Sequence, residues 1–117
     1  MIMGIGIDIT ELERWHDNKV SRKVFTHSEL QWCKGEPDKY AIIWSIKEAV
    51  VKALGTGFRN NITWRDIEVI NYQNNYLVKL SENVMNTFKI NYNRDVFWVN
   101  VTKTNDMVLA QVIWERY

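Results

Sequence analysis

The sequence has a single cysteine, Cys33, and a single proline, Pro37. One cysteine excludes an internal disulfide and a multi-cysteine zinc centre. A dominant charge is also missing: 15 Lys and Arg stand against 14 Asp and Glu, a net charge of +1. That balance argues against the usual bulk-basic nucleic-acid binder. No apolar run approaches the ~18 residues of a membrane span, so no membrane association is expected. The apolar start Met1–Ile9 contains Asp8 and lacks a basic leader, unlike a signal peptide. The expected location is the cytoplasm. Low-complexity tracts, linkers and tandem repeats are lacking too. What is present is 117 residues, 46% hydrophobic and 25% charged, expected to form a single domain over 1–117.

Met1–Ile9 reads as a strand, with Ile5, Ile7 and Ile9 on one face and Gly4, Gly6 and Asp8 on the other. Thr10, with Glu13, reads as the cap of a short helix over Glu11–Asp17. Thr26 or Ser28 caps a second one containing Glu29 and Cys33, which Gly35 stops. The longest helix starts at Pro37, suited to a first turn, and ends at Leu54 before Gly55. Thr63 caps a turn at Trp64–Asp66. Ile67–Tyr72 and Tyr76–Leu80 form a hairpin about Asn74-Asn75, and Ser81 caps a helix to about Lys89. Val96–Lys103 and Met107–Glu115 form a second hairpin turning at Asn105-Asp106. Hairpins mean antiparallel pairing, so the fold class is α+β, with antiparallel strands and a long central helix.

At ~100° per residue, the long helix has a broad apolar face and a narrow polar stripe of Ser45, Glu48 and Lys52. Such a stripe is commonly a solvated face with an i,i+4 Glu–Lys pair. Its flanks here, Trp44 and Val51, suit a half-buried cleft wall instead. In a cleft, Glu48 would hold a divalent cation and Lys52 would neutralise phosphate. The amides of Gly55-Thr56-Gly57 would approach phosphate oxygens closely. Glycine pairs can equally be a small-residue strand and a helix stop, and that reading stays open for Gly4, Gly6, Gly55 and Gly57.

Gly4-Ile5-Gly6-Ile7-Asp8-Ile9 with Glu11, Glu13 and Arg14 resembles the opening signature of the holo-acyl-carrier-protein synthases, the short 4′-phosphopantetheinyl transferases. Trp44-Ser45-Ile46-Lys47-Glu48-Ala49-Val50-Val51-Lys52-Ala53-Leu54-Gly55-Thr56-Gly57 resembles their second signature. Phe25-Thr26 with Glu29, and Ala110-Gln111-Val112-Ile113, resemble the linking motif and the closing strand. The resemblance implies the 4′-phosphopantetheinyl transferase fold and a reaction. A serine hydroxyl of an apo acyl carrier protein attacks the β-phosphate of coenzyme A, and adenosine 3′,5′-bisphosphate leaves. It implies magnesium (Mg2+) held by Asp8 and Glu48. Glu48 and Lys52 are the implied catalytic pair, and Glu48 takes the serine proton directly or through a metal-bound water. Lys52, Gly55, Thr56, Gly57 and Lys103 would contact coenzyme A, and Arg14, Arg22 and Lys23 would dock the acidic carrier protein.

Two positions depart from the family pattern. Ile43 stands where an arginine is usual, and Lys103 where a histidine is usual. Both positions are implied coenzyme A contacts, so recognition of the 3′-phosphate is expected to be altered, with Lys47, Arg59 or Lys103 as compensating cations. These departures keep open a non-catalytic relative that binds a nucleotide or a partner. Cys33, His16 and His27 read as structural or surface residues. The family's short members are trimers with a cleft between subunits, which implies a homotrimer. The apolar excess on Phe97, Trp98, Val99, Val108 and Trp114 puts the last two strands near its axis.

Overall fold

The computed structural model describes residues 1–16, 23–55 and 61–117. Strand β1 (Ile2–Glu11) leads through a 3₁₀ turn (Leu12–Trp15) to helices α1 (His27–Cys33) and α2 (Pro37–Leu54). A second 3₁₀ turn (Trp64–Asp66) precedes the hairpin β2 (Ile67–Tyr72) and β3 (Asn75–Leu80). Helix α3 (Glu82–Phe88) and the hairpin β4 (Asp95–Lys103) and β5 (Met107–Arg116) complete the chain. The strands form two antiparallel sheets, β1-β5-β4 and β2-β3. The fold is α+β, as expected.

Local signals set several boundaries. Pro37 opens α2, and Gly55 closes it in a left-handed conformation at φ 88°. Thr26 and Glu29 form a reciprocal capping box on α1, and Ser81 accepts a hydrogen bond from the Val84 amide on α3. Elsewhere tertiary contacts overrule the local reading. Thr10 caps nothing: it lies within β1, buried against Ser45, and the following turn has no side-chain cap. The first hairpin turns at Gln73-Asn74 rather than Asn74-Asn75. Both turn residues have positive φ, and the pairing of Val69 with Val78 and Tyr72 with Asn75 sets the register.

Helix α2 lies across the inner face of the three-stranded sheet, and the β1 glycines determine how closely. A Cβ on Gly4 would sit 1.8 Å from the Ala53 carbonyl oxygen, and one on Gly6 1.8 Å from that of Ala49. From Gly4 to Gly6, two strand residues (~6.8 Å) nearly match the four helix residues from Ala53 to Ala49 (~6 Å), so β1 runs antiparallel along α2 there, and beyond Gly6 the extended strand outruns the helix. Gly4 meets Ala53, Gly6 meets Ala49, and Thr10 meets Ser45. This register, rather than a ligand cradle, is what Gly4 and Gly6 provide. It brings Asp8 to the edge of α2.

The same packing turns the isoleucines outward. Ile5, Ile7 and Ile9 are 59%, 48% and 58% exposed. Of the residues expected at a subunit interface, Val108 and Trp114 are core, and Phe97 and Val99 pack against it. Trp98 alone of that set is more than half exposed. These strands turn Phe97, Val99, Val108 and Trp114 toward the core and leave Trp98 on the outer face.

Candidate functional site

Where β1 passes the C-terminal half of α2, three of the expected residues meet. Lys52 Nζ donates 2.9 Å to the Ile7 carbonyl and lies 3.3 Å from Asp8 Oδ1. Ser45 Oγ donates 2.7 Å to Thr10 Oγ1, and Thr10 Oγ1 donates 3.0 Å to Asp8 Oδ2. Asp8 is thus held at both oxygens. Glu48 lies half-buried one turn before Lys52, and its carboxylate accepts no hydrogen bond from any described residue. Burial raises its pKa above the ordinary carboxylate value, and the Asp8 charge raises it further. Lys52 and Arg14 pull it back only in part.

Asp8 on β1 and Glu48 on α2 are near enough for the Asp8 charge to raise the proton affinity of Glu48, a repulsion that a cation would relieve. Hard oxygen donors in that number suit magnesium, which keeps waters and takes one or two carboxylates alongside phosphate oxygens. Arg14 stands at the rim, exposed, its guanidinium 5.9 Å from the Trp15 ring and 5.7 Å from the Trp44 ring. Trp64 packs on Trp44 with ring centroids 4.8 Å apart.

Other expected residues lie elsewhere. Gly55 ends α2 one turn beyond Lys52, with open space where a Cβ would point. Thr56, Gly57, Arg59 and Arg22 lie outside the described residues. Lys23 is exposed and lines a groove with Ile62, Thr63, Trp64 and Arg65. Lys103 pairs with Asp38 at the opposite end of α2. It borders a groove of about 500 Å³ that also includes Trp32 and Tyr76. Along α2, Asp38 and Lys52 are about 21 Å apart, at ~1.5 Å per residue.

Two expectations about the 3′-phosphate contacts need correction, that position 43 reaches coenzyme A and that Lys47 compensates. Ile43 is 1% exposed in the core, so its side chain faces no ligand. Lys47 is wholly buried and every donor is used. Its Nζ lies 2.7 Å from Glu29 Oε1 and donates to the carbonyls of Val24 (2.7 Å) and Trp64 (3.0 Å). Glu29 in turn accepts from the amides of Thr26 and Val69, both within 2.8 Å. Lys47 is a structural clasp and has no charge to offer a phosphate. Sequence reasoning missed Thr10 as a site residue. The available signal was its i,i+2 spacing from Asp8, which puts both on one strand face.

A family model for the 4′-phosphopantetheinyl transferase superfamily matches residues 4–110. The chain is 39% identical over 82 residues to the holo-[acyl-carrier-protein] synthase of Geobacter sp. (strain M21), a match covering 62% of this chain and 66% of that protein. The holo-[acyl-carrier-protein] synthase of Alkaliphilus metalliredigens (strain QYMF) is 34% identical, with 97% of this chain and 98% of that protein covered. The crystal structure of a holo-(acyl-carrier-protein) synthase from Bacillus anthracis, in complex with CoA (3′,5′-ADP), superposes with a TM-score of 0.80 at 28% identity. That superposition covers 100% of this chain and 99% of the other. The chain spans just under two thirds of the length of the first curated relatives it matches, 66% and 64%.

Proposed function

The chain belongs to the 4′-phosphopantetheinyl transferase superfamily, among its holo-[acyl-carrier-protein] synthases, and from that premise we propose its reaction. It transfers the 4′-phosphopantetheine arm of coenzyme A to a serine of an apo acyl or peptidyl carrier protein. The serine oxygen bonds to the β-phosphorus, the bond from that phosphorus to the bridging oxygen breaks, and adenosine 3′,5′-bisphosphate leaves. The observation that carries this reading is the meeting of Asp8, Glu48 and Lys52 where β1 passes α2.

Phosphoryl transfer asks mainly for positioning and charge neutralisation. Lys52 is half-exposed and one salt bridge away from reaching a phosphate oxygen. Glu48, with its raised proton affinity, takes the serine proton directly or through a water. Asp8 and Glu48 would hold magnesium, which when bound supplies positive charge to the pyrophosphate oxygens. Arg14, beside the cleft on an exposed turn, offers its charge to an acidic carrier protein.

A homotrimer belongs to the same reading. The exposed isoleucines of β1 join Ile113 and Trp98 in one cross-strand row, Ile5–Ile113–Trp98, an apolar outer face suited to a second copy. By the family resemblance, the coenzyme A cleft would be shared between neighbouring copies. Among the described residues no helix is long and apolar enough to cross a membrane. A cytoplasmic location completes the proposal.

The test is incubation with coenzyme A, magnesium and apo carrier proteins, reading the carrier by mass spectrometry. The expected result is a phosphopantetheine adduct that depends on magnesium. No adduct on any apo carrier protein tried would return the chain to a non-catalytic role. Sedimentation across micromolar concentrations should give a trimer, and a monomer throughout would sink the shared-cleft part.

A further inference from the structure

The hydroxyls of Ser45 and Thr10 form a short directed chain that ends on the carboxylate of Asp8. Ser45 and Thr10 are 0% and 2% exposed, on facing elements, 35 residues apart in sequence. Each hydroxyl has one hydrogen to donate. Ser45 spends its own on Thr10, so Thr10 is left as an acceptor on that side and must point its hydrogen at Asp8 Oδ2. The chain therefore has a direction fixed by the packing of β1 on α2. Fluctuations that rotate the Asp8 carboxylate away from the cleft would break this bond and leave a buried hydroxyl unpaired, which is costly.

We propose that Thr10, oriented by Ser45, is a positioning residue that holds Asp8 Oδ2 so that Oδ1 faces the Lys52 side of the cleft, where cation and phosphate are bound. This rests on the magnesium-dependent transfer proposed above. Thr10 touches neither substrate nor metal. Its effect passes wholly through the rotamer of Asp8, as outer hydrogen bonds to metal-binding carboxylates commonly act.

The test uses the full chain with Mn2+ as the probe cation, titrated in the presence of coenzyme A and followed by electron paramagnetic resonance. No carrier protein is present, so binding is read without turnover. Thr10→Val keeps the side-chain shape and removes the donor, and it should weaken Mn2+ binding about 10- to 100-fold. Thr10→Ser should restore binding to within about threefold of the starting protein, since the donor returns. Thr10→Val also leaves the buried Ser45 hydroxyl without a partner, so it lowers stability. Combining Thr10→Val with Ser45→Ala removes both polar atoms and should recover most of that stability. The double variant discriminates. If positioning is right, it melts close to the starting protein yet still binds Mn2+ as weakly as Thr10→Val alone. Recovery of binding together with stability would make the chain merely structural and overturn the proposal. Wild-type affinity in Thr10→Val would overturn it as well, leaving the transferase reading untouched. A starting protein that binds no Mn2+ with coenzyme A and modifies no carrier would overturn both.

Discussion

Lys47 and Lys52 are five residues apart on one helix, and the fold treats them in opposite ways. The side chain of Lys47 is 0% exposed and that of Lys52 is 52% exposed. At Lys47, burial alone would drive the ammonium pKa down, and Glu29 works against that. Every hydrogen there has a partner, and the partners come from α1, the 23–25 segment and the turn before β2. At Lys52 the charges are fewer than the site could bind. Asp8 has one hydroxyl and one ammonium, and Glu48 has no hydrogen bond among the described residues. A closed set of charges organises the fold, while an open set is available for a ligand. The difference between the two is which face of α2 meets another element, a property that residue type does not encode.

The largest expected effect breaks the comparison at its closed end. Lys47→Met leaves Glu29 buried without its counter-charge and should cost about 3–5 kcal/mol of stability. The same change at Lys52 removes a half-exposed pair and should cost no more than about 1 kcal/mol. Urea denaturation of both variants measures the contrast. Equal losses would mean that Lys47 is not the clasp described. Transfer should behave the other way. Lys52→Met folds normally and loses the phosphate-side charge.

At the open end, Asp8→Asn and Glu48→Gln should each lower transfer by about 10²–10³-fold, the usual effect of removing one charged group from such a site. Melting should change little for Glu48→Gln, and little for Asp8→Asn because the amide oxygen can still accept from Thr10. Either variant with near-normal turnover would remove that residue from the proposed cation pair.

Ile43→Arg comes next. The resemblance to families with arginine at this position suggested a lost 3′-phosphate contact, yet the side chain is 1% exposed within the core. An unpaired guanidinium forced into that core, on top of overpacking, should cost at least about 3 kcal/mol, read by denaturation. Discrimination between coenzyme A and 3′-dephospho-coenzyme A should stay unchanged. A lowered Michaelis constant for coenzyme A alone would show that position 43 reaches a ligand after all.

Much of this architecture was legible where local chemistry decides it. Pro37 and Gly55 bracket α2, Thr63 with Asp66 closes a capping box on its turn, and the β4–β5 hairpin lies where alternation placed it. Glu48 and Lys52 were legible as a polar stripe on one helix face, while Asp8 entered only through the resemblance. What local signals could not supply is facing. Thr10 has the right type for a cap, but Ser45, 35 residues away, claims its hydroxyl. Lys47 has the right charge for a phosphate, but Glu29 claims it. Trp114 has the bulk of an interface residue, but its indole donates to Asp95 inside the core. In each case the deciding partner is distant in sequence.

The smallest effect is also the most specific, because it asks what the open charges cost. Glu48 in the fold binds its proton more tightly than an ordinary glutamate, chiefly through burial and then through Asp8. A group whose folded pKa is raised leaves the folded state carrying more protons than the unfolded one between the two pKa values. Stability therefore falls as pH rises through that window and stays lower above it. Glu48→Gln mimics the protonated form at every pH. It should accordingly match the starting protein in acid, below the ordinary glutamate range, and exceed it modestly at neutral pH. Urea midpoints collected from acid to neutral pH read this difference directly. Replacing Asp8 with Asn should shrink the difference by removing the second contribution, while the part due to burial persists. If Glu48→Gln were instead less stable at neutral pH, Glu48 would be a structural acceptor like Glu29, and the contrast between the closed clasp and the open cleft would fail.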